Sequence, residues 1–599
     1  MSRDDTREDY CEVVSRRKFV SLAGVTGAAA LAGCSSGGGD DTDTPDEDGG
    51  DGGDGGDGGG GHVNTWFLGT QTDFAASDYR WNATLGWFVP HDQFGMWAQW
   101  AQYQIDNDEF VPHLIQEWEH GDGQTTLTLS EEFTWGNTGE SITADDLALQ
   151  LRINEAANTT LWEFIDGVEA TGDYELQVNY PSSTGEDVIE YALFDNRLAN
   201  LPPSNWEDAD WEDQPPGEVQ VPEPDSSGPV HLTEHTDQYS QTEVRDGLDG
   251  VEDHHLASQY NWNGYRVEFR DGNNAAHNSF INNEVDGQHS LFVPPNTLDQ
   301  FPDSVEEFRI PGGFGMGLWF DHTHDVWGQR EARQALMWSI DREAVILTVS
   351  ESSKIHHPAP SGLTASSVED WLGSEEPDGF NVYTRDDDQA DELLSEIDES
   401  KDSIGTINIT YPQGWSDWAT ASQSIVDQLR DAGWDAQGDS RSAGPGQYTS
   451  SDDWNICADQ HTLGGSPRMA LPYFSLDYIL RNRFRNTEEH FAGYLNESST
   501  VTIDGTEIDV MSRLEELATT NDRSTREEIV RQLAMVVNKD VPVGIIMEKY
   551  EQSFLNTDNF EIPDESDHFL AYWPMYWLPK VDETMDGYDS PGLMKATDD

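Results

Sequence analysis

The sequence predicts an α/β protein of more than one lobe, and three observations carry that prediction. The chain has 599 residues, which at about 100–200 residues per domain means several domains or one large two-lobed unit. Strand-like alternating segments interleave with segments of helical apolar spacing. No repeat of about 20–50 residues is evident, which sets solenoids aside.

The elements follow in order. Leu127-Thr128-Leu129 alternates as a strand, and Phe133-Thr134-Trp135 continues it after the turn Ser130-Glu131-Glu132. Thr143 is a helix N-cap with Asp146 three residues on, ahead of Leu147, Leu149 and Leu151. The acids of that first turn suit the helix dipole. Residues 201–260 are Pro-rich and acidic, and predict a long surface excursion; Val267 and Phe269 then restart a strand. Beyond Gly328, Ala332, Leu336, Ile340 and Ala344 recur every fourth position, predicting one amphipathic helix of about five turns. Ile407–Tyr411 is a strand leading through Pro412–Trp415 into a helix that carries Ala421, Ile425, Val426 and Leu429 and stops at Gly433. Glu527–Val537 is a further helix with Ile529, Leu533 and Val536 on one face, and Asp540–Ile546 follows as a buried strand.

Charge narrows the partners. There are 115 Asp+Glu against 32 Lys+Arg, a formal charge of −83, and only 7 of the basic residues are Lys. A phosphate backbone would be repelled over nearly the whole surface, so a conventional nucleic-acid binder is excluded. An acidic, Lys-poor surface fits adaptation to molar salt, where the Debye length is about 3 Å and self-repulsion is quenched. Acidity therefore reports a solvent, and a single Asp or Glu carries little information.

The N-terminus reads as an address and an anchor. Residues 15–34 open on the pair Arg16-Arg17, pass through an apolar run from Phe19 to Leu31, and end at Leu31-Ala32-Gly33-Cys34. That run is shorter than the about 20 residues needed to span a bilayer. The pattern resembles a twin-arginine export signal ending in a lipobox whose Cys34 carries the lipid. Residues 35–61 are almost only Gly, Asp, Ser and Thr, a composition that cannot bury a core and that reaches about 29 Å as a Gly-rich tether. With Cys11 removed and Cys34 modified, Cys457 alone remains and no intrachain disulfide forms.

Several segments, in order, resemble one family: the oligopeptide/dipeptide-type extracellular solute-binding proteins of ATP-binding cassette importers. They are Val111–Gly123, the Leu127–Trp135 segment, Ile142–Leu147, Ser227-Gly228-Pro229, Asn283–Asp286 and, most densely, Trp327–Glu343. In the last block Arg333, Ala335, Leu336, Ile340 and Asp341 sit at helical spacing and read as scaffold. The resemblance implies a two-lobed, periplasmic-binding-protein-like α/β fold (type II, with an extra N-terminal subdomain) and a ligand cleft between the lobes. It divides the chain into signal (1–34), tether (35–61), first lobe with inserted subdomain (62–305), second lobe (306–544) and a C-terminal return to the first lobe (545–599). It also implies a monomer that binds a short peptide or oligosaccharide and works with permease and ATPase subunits on other chains.

Two segments point to different ligands. Trp454–Asp459 resembles the peptide binders' segment that offers a carboxylate to the ligand's α-amine, with Asp459 as that carboxylate; the family's following Asp-Pro is missing. Pro412–Trp418 resembles the turn of cello-oligosaccharide binders. There Trp415 and Trp418 would stack on sugar rings and Asp417 would accept hydroxyl hydrogen bonds. Either Trp also fits a packing role beneath the helix, and the aromatic group Tyr572–Trp577 fits one that cements the returning segment.

Other motifs are weaker. The pairs His322/His324, His254-His255 and His356-His357 lack metal-site spacing and read as polar loops. No phosphate-binding, dinucleotide or nucleophile-elbow fingerprint is present, so no cofactor and no metal is expected. Sequons begin at Asn82, Asn158, Asn408 and Asn496. A surface glycoside hydrolase is the rival from another class, since it needs only two carboxylates about 5–9.5 Å apart. A structural surface protein is the third.

Overall fold

The computed structural model describes residues 65–558 apart from 71–80, 86–89, 105–108, 246–262, 443–453, 482–492 and a few isolated positions, together with 560–561 and 595–596. Arg16, Arg17, Cys34, the 35–61 tether, His254-His255, Asn496 and the Tyr572–Trp577 group lie outside the described residues.

Among the described residues an eleven-stranded mixed sheet runs through the molecule. Its order is Asp435–Arg441, Thr406–Pro412, Ile456–Gln460, Val305–Phe320, Val543–Asn556, Gly287–Gln288, Thr65–Thr70, Gly264–Phe269, Tyr239–Val244 and Val230–His235, with Lys354–Ile355 also paired to Val543–Asn556. The two long strands, of 16 and 14 residues, pair antiparallel and carry the sheet from one half of the chain to the other. Their register shifts between Pro311 and Gly315 and again between Met316 and Gly317. Glycine is required there. Gly313 has φ +66, and a Cβ on Gly315 would stand 2.0 Å from the Met547 carbonyl oxygen.

An inserted subdomain holds a separate four-stranded sheet, ordered Ile115–Gly121, Gln124–Leu129, Glu175–Asn179, Gly167–Gly172. Helix Ala144–Ala156 packs on it, and the Thr143/Asp146 capping box forms as the sequence predicts. One apolar cluster joins this subdomain (Leu127, Leu147, Phe164, Leu193) to the far half of the chain (Trp454, Phe474, Leu514, Ile529, Val536).

The Trp327–Glu343 block is scaffold. Arg333, 2 % exposed, donates to the carbonyls of Trp327, Asp540 and Val541, and Arg330 pairs with Asp540 at 2.6 Å.

Four local expectations are corrected. The predicted five-turn helix is two, Arg330–Trp338 and Arg342–Val349, because the Asp341 carboxylate accepts the Ala344 N–H and starts a new helix. Residues 201–260 are not wholly a surface excursion. Trp206, Val219, Val221 and Val230 enter a core with Leu68 and Trp97, and the strands at 230–235 and 239–244 extend the main sheet. Pro203 and Pro216 open short helical turns, where the missing N–H is no loss. Phe133–Trp135 makes only a bridge, Thr134 to Ser141. The buried strand after Asp540 runs on to Asn556, twice the length expected.

Asn82 is withdrawn as a glycosylation candidate: it is fully buried, its amide donating to the Pro216 and Val219 carbonyls at 2.8 Å. Asn158 and Asn408 are exposed. His322 is bound to the Pro542 carbonyl, and the His324 ring accepts the Val326 N–H. No cluster of three or more metal-ligating side chains occurs among the described residues.

Candidate functional site

The two long strands cross between the halves of the molecule, and a group of buried polar side chains lies along them. On one flank runs Ile456–Gln460, antiparallel to Val305–Phe320 with Asp459 opposite Gly317. Asp459 is 5 % exposed and accepts its neighbour's N–H, from Gln460, at 2.7 Å. Among the described residues it enters no ion pair. Burial drives its pKa up to about 7, against the pull of the Gln460 N–H. An ionised carboxylate there is starved of a cation.

Next along the chain, burial and the nearby His357 lower the His461 pKa to about 3, so the ring is neutral. Its Nε2 has no hydrogen-bond partner among the described residues. Thr462 donates to the Gly313 carbonyl at 2.5 Å, tying this flank to the glycine-rich crossing.

On the other flank, Val543–Asn556 brings Glu548, Lys549 and Glu551 inside. Glu548 Oε2 is bonded to His357 Nε2 at 2.9 Å and accepts the Ala365 N–H at 2.8 Å, while Oε1 has no such partner. Both oxygens of Glu551 lack one, and the Lys549 ammonium is 4.0 Å away. Opposite Lys549 in register is Lys354. Its Nζ stands 2.8 Å from Asp417 Oδ2 and 5.0 Å from the Phe292 ring centroid. Burial pushes the Lys354 ammonium down while Asp417 holds it up. For Asp417 burial acts to raise the pKa, but Lys354 and then Lys549 outweigh it and leave the carboxyl below the usual range.

The sequence-nominated residues thus fall into two groups. Trp415, Asp417 and Trp418 sit together at the start of helix Ser416–Asp431. The two Trp rings meet edge to face at 4.8 Å, and Trp418 is 2 % exposed in a core with Ala421, Ile425 and Leu429. Trp418 therefore packs in that core, and Asp417 is the counter-ion of Lys354. Trp415 is half-buried against the same core. Trp454 and Asp459 form the second group, beside the strand that leads to the first. Trp454 is 2 % exposed and packs in the large cluster with Trp319 and Cys457. Asp417 and Asp459 share no hydrogen bond or ion pair among the described residues.

Sequence reasoning missed Lys354, His461, Glu548 and Glu551, and read His357, which is buried on Glu548, as part of a polar loop. One signal was available: two of the chain's 7 Lys, Lys354 and Lys549, stand here.

Residues 109–478 match the family model described as "Bacterial extracellular solute-binding proteins, family 5 Middle". The chain belongs to that family. No curated protein sequence matches this family 5 chain. Its fold is that of known solute-binding proteins. A mannohexaose-bound periplasmic oligopeptide-binding protein of Thermotoga maritima superposes with TM-score 0.67 at 16 % identity, over 86 % of this chain and 97 % of that one. AppA of Bacillus subtilis, in complex with a nonapeptide, gives 0.63 at 14 %, over 85 % and 98 %. NikZ of Campylobacter jejuni, in complex with Ni(L-His), gives 0.61 at 14 %, over 84 % and 95 %. At such identities the likeness speaks for the fold alone. No helix among the described residues is long and apolar enough to cross a membrane.

Proposed function

We propose that this family 5 protein captures short peptides outside the cell, by closure of its two lobes, and passes them to an ATP-binding cassette permease. Asp459 receives the peptide α-ammonium. One observation carries this reading: Asp459 is buried with no ion-pair partner among the described residues, and its pKa is driven up to about 7. A charged ammonium–carboxylate hydrogen bond would supply what that carboxylate lacks. A titration of the purified protein in molar KCl tests it. Ala-Ala-Ala should bind saturably, whereas N-acetyl-Ala-Ala-Ala, which has no amine, and the Asp459→Asn variant should each bind about 100-fold more weakly. Binding of mannohexaose with no binding of either peptide would sink the reading.

The oligosaccharide alternative loses two of its three contacts, since Trp418 is core and Asp417 is held by Lys354. The glycoside hydrolase alternative is disfavoured because the structural relatives are named as binding proteins. The lobe boundaries (62–305, 306–544, with 545–599 returning), the monomeric state and the molar-salt habitat belong to the same proposal. So does export through Arg16-Arg17 with a lipid anchor on Cys34. Cys34→Ala should move the protein from the membrane fraction to the medium; retention in the membrane fraction would refute the anchor.

A further inference from the structure

The four sequons play no part in the solute site, and the fold sorts them. An acceptor asparagine has to stand on a surface loop of an exported chain, with its hydroxyl residue two positions on. Asn82 is fully buried with its amide bound to two carbonyls, and Asn496 lies outside the described residues. Asn158 and Asn408 are both exposed, so exposure does not separate them. Their backbones do.

Asn408 stands within strand Thr406–Pro412, in register with Gln437 of the parallel neighbour. The hydroxyl residue of that sequon, Thr410, is 1 % exposed, and its Oγ1 donates to Asp439 Oδ2 at 3.3 Å. A transferase would have to strip the strand from the sheet to grasp both residues. Asn158 instead follows helix Ala144–Ala156, one residue past the C-cap Ala157. Its N–H reaches the Glu155 carbonyl at 2.9 Å, and the Thr159 N–H reaches the Asn154 carbonyl at 3.0 Å, the Schellman pattern of a finished helix. With φ +52, Asn158 occupies the left-handed position that asparagine tolerates better than most side chains. That explains an asparagine there but does not use its amide, which makes no hydrogen bond among the described residues. Thr160, the hydroxyl residue, opens the turn Thr160–Glu163 and is half-buried. Its Oγ1 accepts from Arg468 at 3.4 Å, longer than a good N–H···O bond, so that contact is given up at little cost.

We propose that Asn158 carries an N-linked glycan and that Asn408 does not. The donor is an oligosaccharide held through its anomeric carbon on a lipid phosphate, used by a membrane-bound transferase outside the cell. Asn158 Nδ2 bonds to the anomeric carbon as the anomeric C–O bond breaks. The lipid phosphate leaves with that electron pair, and the amide gives one proton to the transferase. The inference rests on the export proposed above and is independent of the peptide reading. Twin-arginine export delivers a folded chain, so the transferase meets each sequon as the fold presents it.

The test is peptide mapping by mass spectrometry of the full chain, purified from the membranes of the cells that make it. Asn158 should carry a sugar mass and Asn408 should be bare. Asn158→Gly, which suits the left-handed helix end, should lose the sugar with an unchanged circular dichroism spectrum. Thr160→Ala should lose it too, and Thr160→Ser should keep it. A bare Asn158 in the wild type overturns the proposal, as does a sugar on Asn408 or one that survives Thr160→Ala. Fractionation of the same cells separates the causes: a chain found outside with Asn158 bare refutes the site alone, and a chain retained inside refutes export with it.

Discussion

Asp417 and Asp459 lie at nearly equal depth, 7 % and 5 % exposed, on segments built around neighbouring strands. Their electrostatics are opposite. Asp417 has Lys354 at 2.8 Å and its pKa is held down, whereas Asp459 has only a neighbouring N–H and its pKa is pushed up to about 7. Burial alone does not mark a binding residue. A buried acid whose charge is met inside the protein is structure; one whose charge is unmet is open to a ligand. Trp415 and Trp418 belong to the met side, because the helix that carries Asp417 also draws Trp418 into its core.

The largest expected effect tests the packing half of that contrast. Trp418→Ala should cost about 3–5 kcal/mol of stability by leaving a core cavity, measured by denaturant unfolding in molar KCl. Affinity for any solute, measured where the variant is folded, should change little. A large loss of affinity with stability intact would return the turn to the binding site.

Asp459 gives the next effect, through pH. Its pKa in the ligand-free fold is about 7, above the ordinary unfolded value of about 3.9. Between those two values the unfolded chain has released the proton and the fold has not. The ligand-free protein should therefore lose stability as pH rises from about 4 to 7, by up to about 4 kcal/mol, with no further loss from this group above that range. Asp459→Asn should flatten that slope and be the more stable form at pH 8. Parallel stability curves for variant and wild type would mean that Asp459 is already neutralised within the fold.

Much of the fold was legible in sequence because it is local. The Thr143/Asp146 cap, the helix stopping at Gly433 and the Ile407–Tyr411 strand depend on near neighbours. Failures came where distant partners decide. Nothing near Pro203 or Pro216 tells that Val219 and Val230 will find Leu68 and Trp97. The helix break at Asp341 was local yet missed, since the apolar period continues through buried Ile340 and half-buried Ala344. At the site, the strand that carries Asp459 could be named from sequence, but the same reasoning put Asp417 beside it as a ligand residue. The fact that separates them is a lysine 63 positions away, which no local pattern could reveal.

That lysine supplies the smallest of the three effects and the sharpest form of the contrast. Lys354→Met keeps an unbranched chain of similar length but leaves Asp417 buried without its nearest cation. Removing one partner of a buried pair costs about 3–5 kcal/mol. Lys549 also lowers the Asp417 pKa, so a loss near about 3 kcal/mol is expected. Adding Asp417→Asn should recover most of it, because the amide needs no counter-ion and can still accept the Trp418 N–H that Asp417 Oδ1 takes at 3.0 Å. Thermal or denaturant unfolding of wild type, both single variants and the double variant gives the coupling directly. If the two losses simply add, Lys354 is not what satisfies Asp417, and the two acids would no longer differ in kind.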